Sequence, residues 1–466
     1  MLWAHPNVFT DEGRKNGHGS GKELCDLLVV FGDQVIVFSD KHCEYKETGN
    51  DEVDWKRWYR KAIDKSVRQL AGAASFIKRF PERLYLDEAC QRQFPLPIGI
   101  AQSTFHLVAV TRGSKSACER FFAHQSIGSL RYFGDVEGDQ VPFTVGPVRT
   151  THGLVHIFDE NTLDIVFREL DTVADFVTYL NKRTELLTRE KPIIWADGEE
   201  QLLALYLRNT RDGEHDFDIE VESNGKPIEG MYVGEGNWEE LQMHPQYLAK
   251  KTADKISYQW DWLVSKFIDV GDPMLVDMPG WQPVTNVEPA VREMASETRF
   301  SRRILADGLS KFVKSLEKGR PKARVMSSPS TKNRVYAVLA APFVSERFSS
   351  YEQYRRDRLA KVAAYAIVAR TKLPTATMAI GIAFDGPSEG MDGGSEDLFC
   401  HYVPEVTQDV LDDAVRVQGE LGILLPENVK SVGFHHQEYP DAPIKVSRQQ
   451  RRAEERGAKK RKRNLR

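Results

Sequence analysis

The segment that most constrains this chain is Glu23 to Lys46, ELCDLLVVFGDQVIVFSDKHCEYK. Two apolar, β-branched runs flank Gly32-Asp33. That pattern predicts a hairpin, with Gly32 supplying the positive φ of a type II′ turn. A two-residue loop then pairs Phe31 with Gln34 and Val30 with Val35. Counting outward, it pairs Asp26 with Ser39 and Leu24 with Lys41. Directly opposed residues share a sheet face. Asp26, Ser39 and Lys41 are therefore expected on one side, with Asp26 and Lys41 as diagonal neighbours, and Asp40 on the other. A one-residue slip or a bulge would bring Asp40 in and turn Lys41 out.

The rest of the chain reads as an α/β protein in four parts. Asp54 to Arg79 carries Trp55, Trp58, Ala62, Leu70, Ala73 and Ile77 as an approximate apolar stripe, which predicts a long helix stopped before Pro81. Strands follow at 105–110 and 153–158, with helical pattern over 161–187 broken near Asp171. The region 189–320 reads as mainly helical, with helices at 198–209, 245–268 and 288–318. From Ala323 the pattern becomes strand, turn, strand, a helix at 350–371, two further strands and a helix near 407–421. The expected parts are an α/β domain over 1–188 with a mixed sheet flanked by helices, a helical domain over 189–320, a second α/β domain over 321–445 and a basic tail over 446–466. Residues 1–21 read as a mobile leader.

Composition narrows the class. Of 466 residues, 41% are hydrophobic and 28% charged, as in an ordinary globular protein. No apolar stretch approaches the roughly 18 residues a membrane span needs. The N-terminus lacks the charged head and apolar core of a signal peptide. Five scattered cysteines without a CxxC pair suit a reducing cytoplasm. The net charge of −4 conceals an asymmetry: from Lys445 to Arg466, eleven Lys/Arg against two Glu give +9, which leaves −13 for the remainder. Arg448, Arg451, Arg452, Lys459, Lys460, Arg461, Lys462 and Arg463 of that tail are candidates for contacts to a nucleic-acid backbone. Such contacts weaken steeply with salt. The same tail would equally serve as a solubilising segment.

An acid and a lysine converging at the ends of paired strands suit phosphodiester hydrolysis. Carboxylates hold a hard cation such as Mg²⁺. The cation lowers the pKa of a bound water, and the lysine positions that water or stabilises developing negative charge. Asp26, Ser39 thirteen residues on and Lys41 fifteen residues on resemble the PD-(D/E)xK restriction-endonuclease-like superfamily, in its Mrr or NERD-type branch. The resemblance covers roughly residues 20–80. It implies a nuclease acting on DNA or RNA with Mg²⁺ or Mn²⁺, in which Asp26 and Asp40 hold the metal and Lys41 handles the water or phosphate. Glu23 is the alternative second acid. In that superfamily the next helix often adds a Gln or Lys, which here implies Gln69 and Lys65. Bacterial defence against phage is the context by analogy, with an activating ligand or protein partner and no membrane. The sequence departs from the pattern at Ser39, where the middle acid would stand. The alternative is therefore a catalytically inactive scaffold of the same fold that binds nucleic acid or a protein. His152 and His156, four apart, are a candidate metal pair only on a regular helix or strand face; a satisfied core or surface histidine is the competing reading.

Overall fold

The structure, a computed structural model, describes residues 2–441 apart from 15–18, 124–125, 209, 212–213, 218, 220, 224, 271–286, 374, 389–393, 403–404 and 434–435. The basic tail and His435 lie outside the described residues. The hairpin forms where the sequence places it. Strand β2 (Lys22–Phe31) turns into β3 (Gln34–His42) in the expected register, Phe31 opposite Gln34 and Val30 opposite Val35. Gly32 takes φ +63° and Asp33 stays at negative φ, as a type II′ turn requires.

Before the hairpin, β1 (Ala4–Thr10) pairs antiparallel with β2. The expected mobile leader is thus in part a strand. Its sequence, AHPNVFT, is a poor strand by propensity: Pro6 cannot donate to a ladder and Asn7 sits at φ +51°. The pairing is supplied by β2, and Val8 is fully buried.

After the hairpin the chain crosses over through α1 (Asp51–Tyr59), a five-residue π turn (Arg60–Asp64) and α2 (Lys65–Arg79). Asn50 caps α1 by accepting the Val53 N–H at 3.2 Å. The apolar stripe read from the sequence is the buried face: Trp55, Trp58, Ala62, Leu70, Ala73 and Ile77 are each at most 2% exposed. The tryptophans are therefore core residues. The short β4 (Leu84–Tyr85) pairs with β1. Next, β5 (Thr104–Arg112) pairs parallel with β3. Then come α3 (Lys115–Phe121), β6 (Arg131–Phe133), β7 (Thr144–Val145), β8 (Val148–Thr150) and β9 (Gly153–Asp159), which pairs parallel with β5. The result is a seven-stranded mixed sheet in the order β4-β1-β2-β3-β5-β9-β8. Helix α2 covers one face. On the other lie α4 (Glu160–Glu169) and α5 (Val173–Leu187), whose Phe167 and Phe176 meet Phe38 of β3.

The expected boundary at 188 cuts through paired strands. Strand β10 (Ile193–Ala196) pairs antiparallel with β6 and parallel with 230–233, and α6 (Glu199–Arg208) follows it. One hydrophobic core runs from Val8 to Tyr247. The region expected to be mainly helical therefore begins with strands that complete the N-terminal unit.

The strand and helix order after Ala323 is as expected, but the boundary at 320 is crossed by one core, because helices from the expected helical region cover the second sheet. Strands 322–327, 334–342, 378–386 and 396–402 form a sheet in that order, with 334–342 and 378–386 parallel. Every residue of 334–342 is buried, because helix 351–372 packs on one face and helices 258–270, 287–295 and 299–314 on the other. The tip of the N-terminal hairpin reaches this second core: Phe31 belongs to it, and Trp3 meets Phe31 edge-on at 5.0 Å. Among the described residues, no helix is long and apolar enough to cross a membrane.

Candidate functional site

The ladder between β2 and β3 runs as far as Leu27 opposite Phe38. One step further, the Asp40 N–H donates to Asp26 Oδ2 at 2.7 Å. Lys41 Nζ lies 3.9 Å from the same oxygen, with the lysine and aspartate side chains 30% and 26% exposed. A pair this accessible adds little to stability. It is open to a ligand.

Ser39 sits beside it and is fully buried. Its Oγ is 3.1 Å from Gln69 Oε1 and 3.2 Å from Ser66 Oγ. Ser66 gives its own proton to Ala62 O at 2.8 Å. The single Ser39 proton is thus divided between Gln69 and Ser66, and the Gln69 amide is anchored through its oxygen. The π turn resets the phase of the helix between Trp55, packed 5.4 Å from Phe143, and Gln69, aimed at β3. Turns of this kind recur at functional sites.

The regular register leaves Asp40 on the opposite face. There Arg112 of β5 forks onto its carboxylate, Nε to Oδ1 at 2.9 Å and Nη2 to Oδ2 at 3.1 Å. The bulge that would turn Asp40 toward Asp26 is not present in this ladder, so the expected Asp26–Asp40 carboxylate pair does not form. Lys65 is exposed, one residue before Ser66, which fills the sheet-facing position at that turn. Glu23 is exposed too, just outside a bulge that sets Val8 opposite Cys25 but Phe9 opposite Glu23. It lines a cavity of about 320 Å³ together with Gln69. The structure thus brings together Asp26, Lys41, Ser39 and Gln69, with Glu23 next door, and separates Asp40 and Lys65 from them. Among the described residues, no group of three or more His, Cys, Asp or Glu could hold a metal ion.

The two histidines of β9 and the turn before it each have other partners. Arg183 Nη1 donates to His156 Nδ1 at 3.1 Å, and burial pushes this imidazole well below its ordinary pKa. His152 Nε2 lies 2.7 Å from Ser75 Oγ. Arg183 also clamps Glu199, Nε to Oε1 at 2.7 Å and Nη2 to Oε2 at 2.9 Å, where Tyr179 Oη adds a third bond at 2.6 Å.

Sequence reasoning missed a buried acidic pair. Asp159 ends β9 and caps α4, accepting the Asn161, Thr162 and Leu130 N–H groups at 2.9 Å each. Glu200, buried in the first turn of α6, lies in its field. Burial first, then Asp159, pushes Glu200 up to about 8, and burial lifts Asp159 to about 6. A carboxyl raised on folding stabilises the fold below its unfolded pKa and loses that contribution as pH rises through the folded value. For Glu200 the window runs from 4.5 to about 8. Glu200→Gln should match the wild type in chemical denaturation near the bottom of this window and be the more stable protein at the top. The difference should grow by up to about 1.4 kcal/mol per pH unit. A constant difference would exclude Glu200 as the titrating group. Only the run Asp197-Gly198-Glu199-Glu200 at a strand-to-helix junction hinted at this pair, and nothing local says that it is buried.

No family model matches the chain, and no solved structure matches it. A 57-residue stretch is 32% identical to "Truncated ankyrin repeat protein B25" of vaccinia virus (strain Western Reserve). The match covers 11% of this chain and 51% of that protein, so the chain spans about half the length of the curated relative it matches.

Proposed function

We propose that the chain is a metal-dependent nuclease of the PD-(D/E)xK type that hydrolyses phosphodiester bonds in DNA or RNA. The observation that carries this reading is the open Asp26–Lys41 pair beside an anchored Gln69, on one face of a mixed sheet flanked by helices. Carboxylate oxygens of this kind are the donors a hard cation takes. Mg²⁺ is commonly held by one or two carboxylates together with substrate phosphates and waters. Asp26 supplies one carboxylate, with both of its described contacts on Oδ2, and Glu23 stands in the adjoining cavity. A bound Mg²⁺ or Mn²⁺ would supply an activated water and neutralise phosphate charge. Asp26 would hold it. The Lys41 ammonium would orient the attacking water or stabilise charge developing on the phosphate. Ser39 and Ser66 would keep Gln69 in place.

A second reading has its own observation. Ser39 occupies the place of a second acid, and Asp40 is engaged by Arg112. That arrangement would suit a scaffold that binds nucleic acid or a protein partner without cutting. Incubating the full chain with plasmid DNA and structured RNA, in Mg²⁺, Mn²⁺ or EDTA, separates the two. Cutting that needs the metal is expected. Metal-independent cutting, or binding without cutting, would overturn the nuclease reading. Action as a phage-defence effector is an analogy from the same superfamily.

A further inference from the structure

The cavity next to the site has a composition of its own. It lies between α2 and the bulged start of β2, and Gln69 belongs to both the cavity and the Ser39 cluster. Its floor is apolar, formed by Leu24, Ala73, Phe76 and Phe80. Its rim is charged: Arg68 and Arg79 of α2 on one side, Lys22, Glu12 and Glu23 on the other. Lys22 is paired with Glu12 at 3.3 Å. Arg68 Nε donates to Asp64 O of its own helix at 3.2 Å, which leaves most of the fork for a ligand.

Between the two arginines stands Gly72. A glycine inside a helix costs about 0.5–1 kcal/mol relative to alanine. Gly72 has no positive φ to accommodate, and a Cβ added there would meet nothing within 4 Å. Neither backbone geometry nor packing calls for it. What it does is leave the wall of the groove bare between two guanidinium groups. Arg68 and Arg79 are eleven residues apart, about 16 Å along the helix axis, and three turns bring them to the same side.

We infer that this groove is a subsite for one unpaired nucleotide next to the bond to be cut, with Arg68 and Arg79 on phosphates of the same strand and the base or sugar over Gly72 on the apolar floor. The inference rests on the nuclease reading for its adjacency to Asp26 and Lys41. It goes beyond that reading in naming the substrate as a single strand, a frayed end or an overhang. Volume decides this: about 320 Å³ is at the small end of ligand pockets and admits a nucleotide, whereas a base held inside a duplex cannot enter. The apolar floor and paired cations match an amphipathic nucleotide better than a bare anion.

The test is binding of a fluorescein-labelled single-stranded oligonucleotide, and of the same sequence as a blunt duplex, to the full-length chain in EDTA, so that cleavage is off. Gly72→Phe projects a ring into the groove from a Cβ that meets nothing within 4 Å. It should weaken single-strand binding by roughly tenfold or more, equivalent to about 1.4 kcal/mol, and leave duplex binding unchanged. Arg68→Ala/Arg79→Ala, at two exposed positions, should reduce the salt slope for the single strand by about 1.4, or about 0.7 for each lost phosphate. The basic tail is present in every variant, so its contribution cancels in these differences. Single-strand affinity unchanged in Gly72→Phe, or a salt slope unchanged in the arginine variant, would overturn the subsite. So would equal losses for single strand and duplex. The outcome is separable from the nuclease reading. That reading falls if Asp26 and Lys41 variants cut like the wild type, whatever the groove does. The subsite falls on the binding data, whatever the cutting does.

Discussion

Lys41→Ala should cut at least about a hundredfold more slowly than the wild type with its folding intact, because removing one group aimed at charge developing in a transition state typically costs a factor of 10²–10³. Asp26→Ala should lose at least as much, since that carboxylate is the one expected to carry the cation. Neither change should unfold the protein: both side chains are part-exposed and their 3.9 Å pair contributes little to stability. The informative control is Asp40→Asn. A pattern read only as D…SDK would make it as damaging as Asp26→Ala. The structure puts its carboxylate on Arg112, on the far face, so cleavage should stay within about threefold of wild type, less than 1 kcal/mol by the usual conversion. Metal-dependent cutting of plasmid or structured RNA, measured alongside circular dichroism for each variant, reads all three. Full activity in Lys41→Ala would remove the hairpin from consideration as the active centre. Loss in Asp40→Asn equal to that in Asp26→Ala would mean that β3 shifts register when substrate binds.

That control marks the line between what was legible in the sequence and what was not. The hairpin was legible because it is local. A two-residue turn and the period-two pattern fix the register, and the register alone places Asp26, Ser39 and Lys41 on one face. Gln69 was within reach of the same logic through the helix that follows. Arg112 was not. It lies 72 residues after Asp40, and its position depends on a parallel crossover whose alignment no local residue encodes. Strand β1 was missed for the complementary reason: Ala4–Thr10 has little strand propensity and is held by the partner it pairs with. The boundary at 188 failed because β6 and β10, more than 50 residues apart, close one sheet across it. Helix 351–372 was placed to within a residue or two, yet its most consequential side chain could not be read from the pattern.

That side chain is Arg358, and its loss should destabilise the C-terminal unit by several kcal/mol. It is fully buried in helix 351–372 and bonded to two strand-end carboxylates. Nε donates to Asp397 Oδ2 at 2.9 Å and Nη2 to Ser395 Oγ at 2.8 Å, while Nη1 pairs with Asp385. Asp397 is itself fully buried and takes a second cation, Arg355, at 3.1 Å. Asp385 is also bonded by Tyr351 and Tyr354, at 2.6 and 2.8 Å. The arginine therefore ties the helix to both 378–386 and 396–402, at the end of a sheet where an unpaired acid would have no water. Breaking a buried pair by removing one partner costs about 3–5 kcal/mol, because the charge left behind is uncompensated. Arg358→Met keeps the unbranched stem and removes the charge. It should cost that amount and should speed hydrogen exchange across 351–372 and 378–402, with 104–112 unaffected. Adding Asp397→Asn removes a buried carboxylate that the first change leaves with Arg355 as its remaining cation, so the double variant should recover part of the loss rather than add to it. Asp397→Asn also takes the charged partner from Arg355, which keeps that recovery incomplete. A cost below about 1 kcal/mol, the range of an exposed ion pair, would show that Arg355 and the two tyrosines suffice to hold the carboxylates once Arg358 is gone. An additive double variant would show that the helix is held by its apolar face alone.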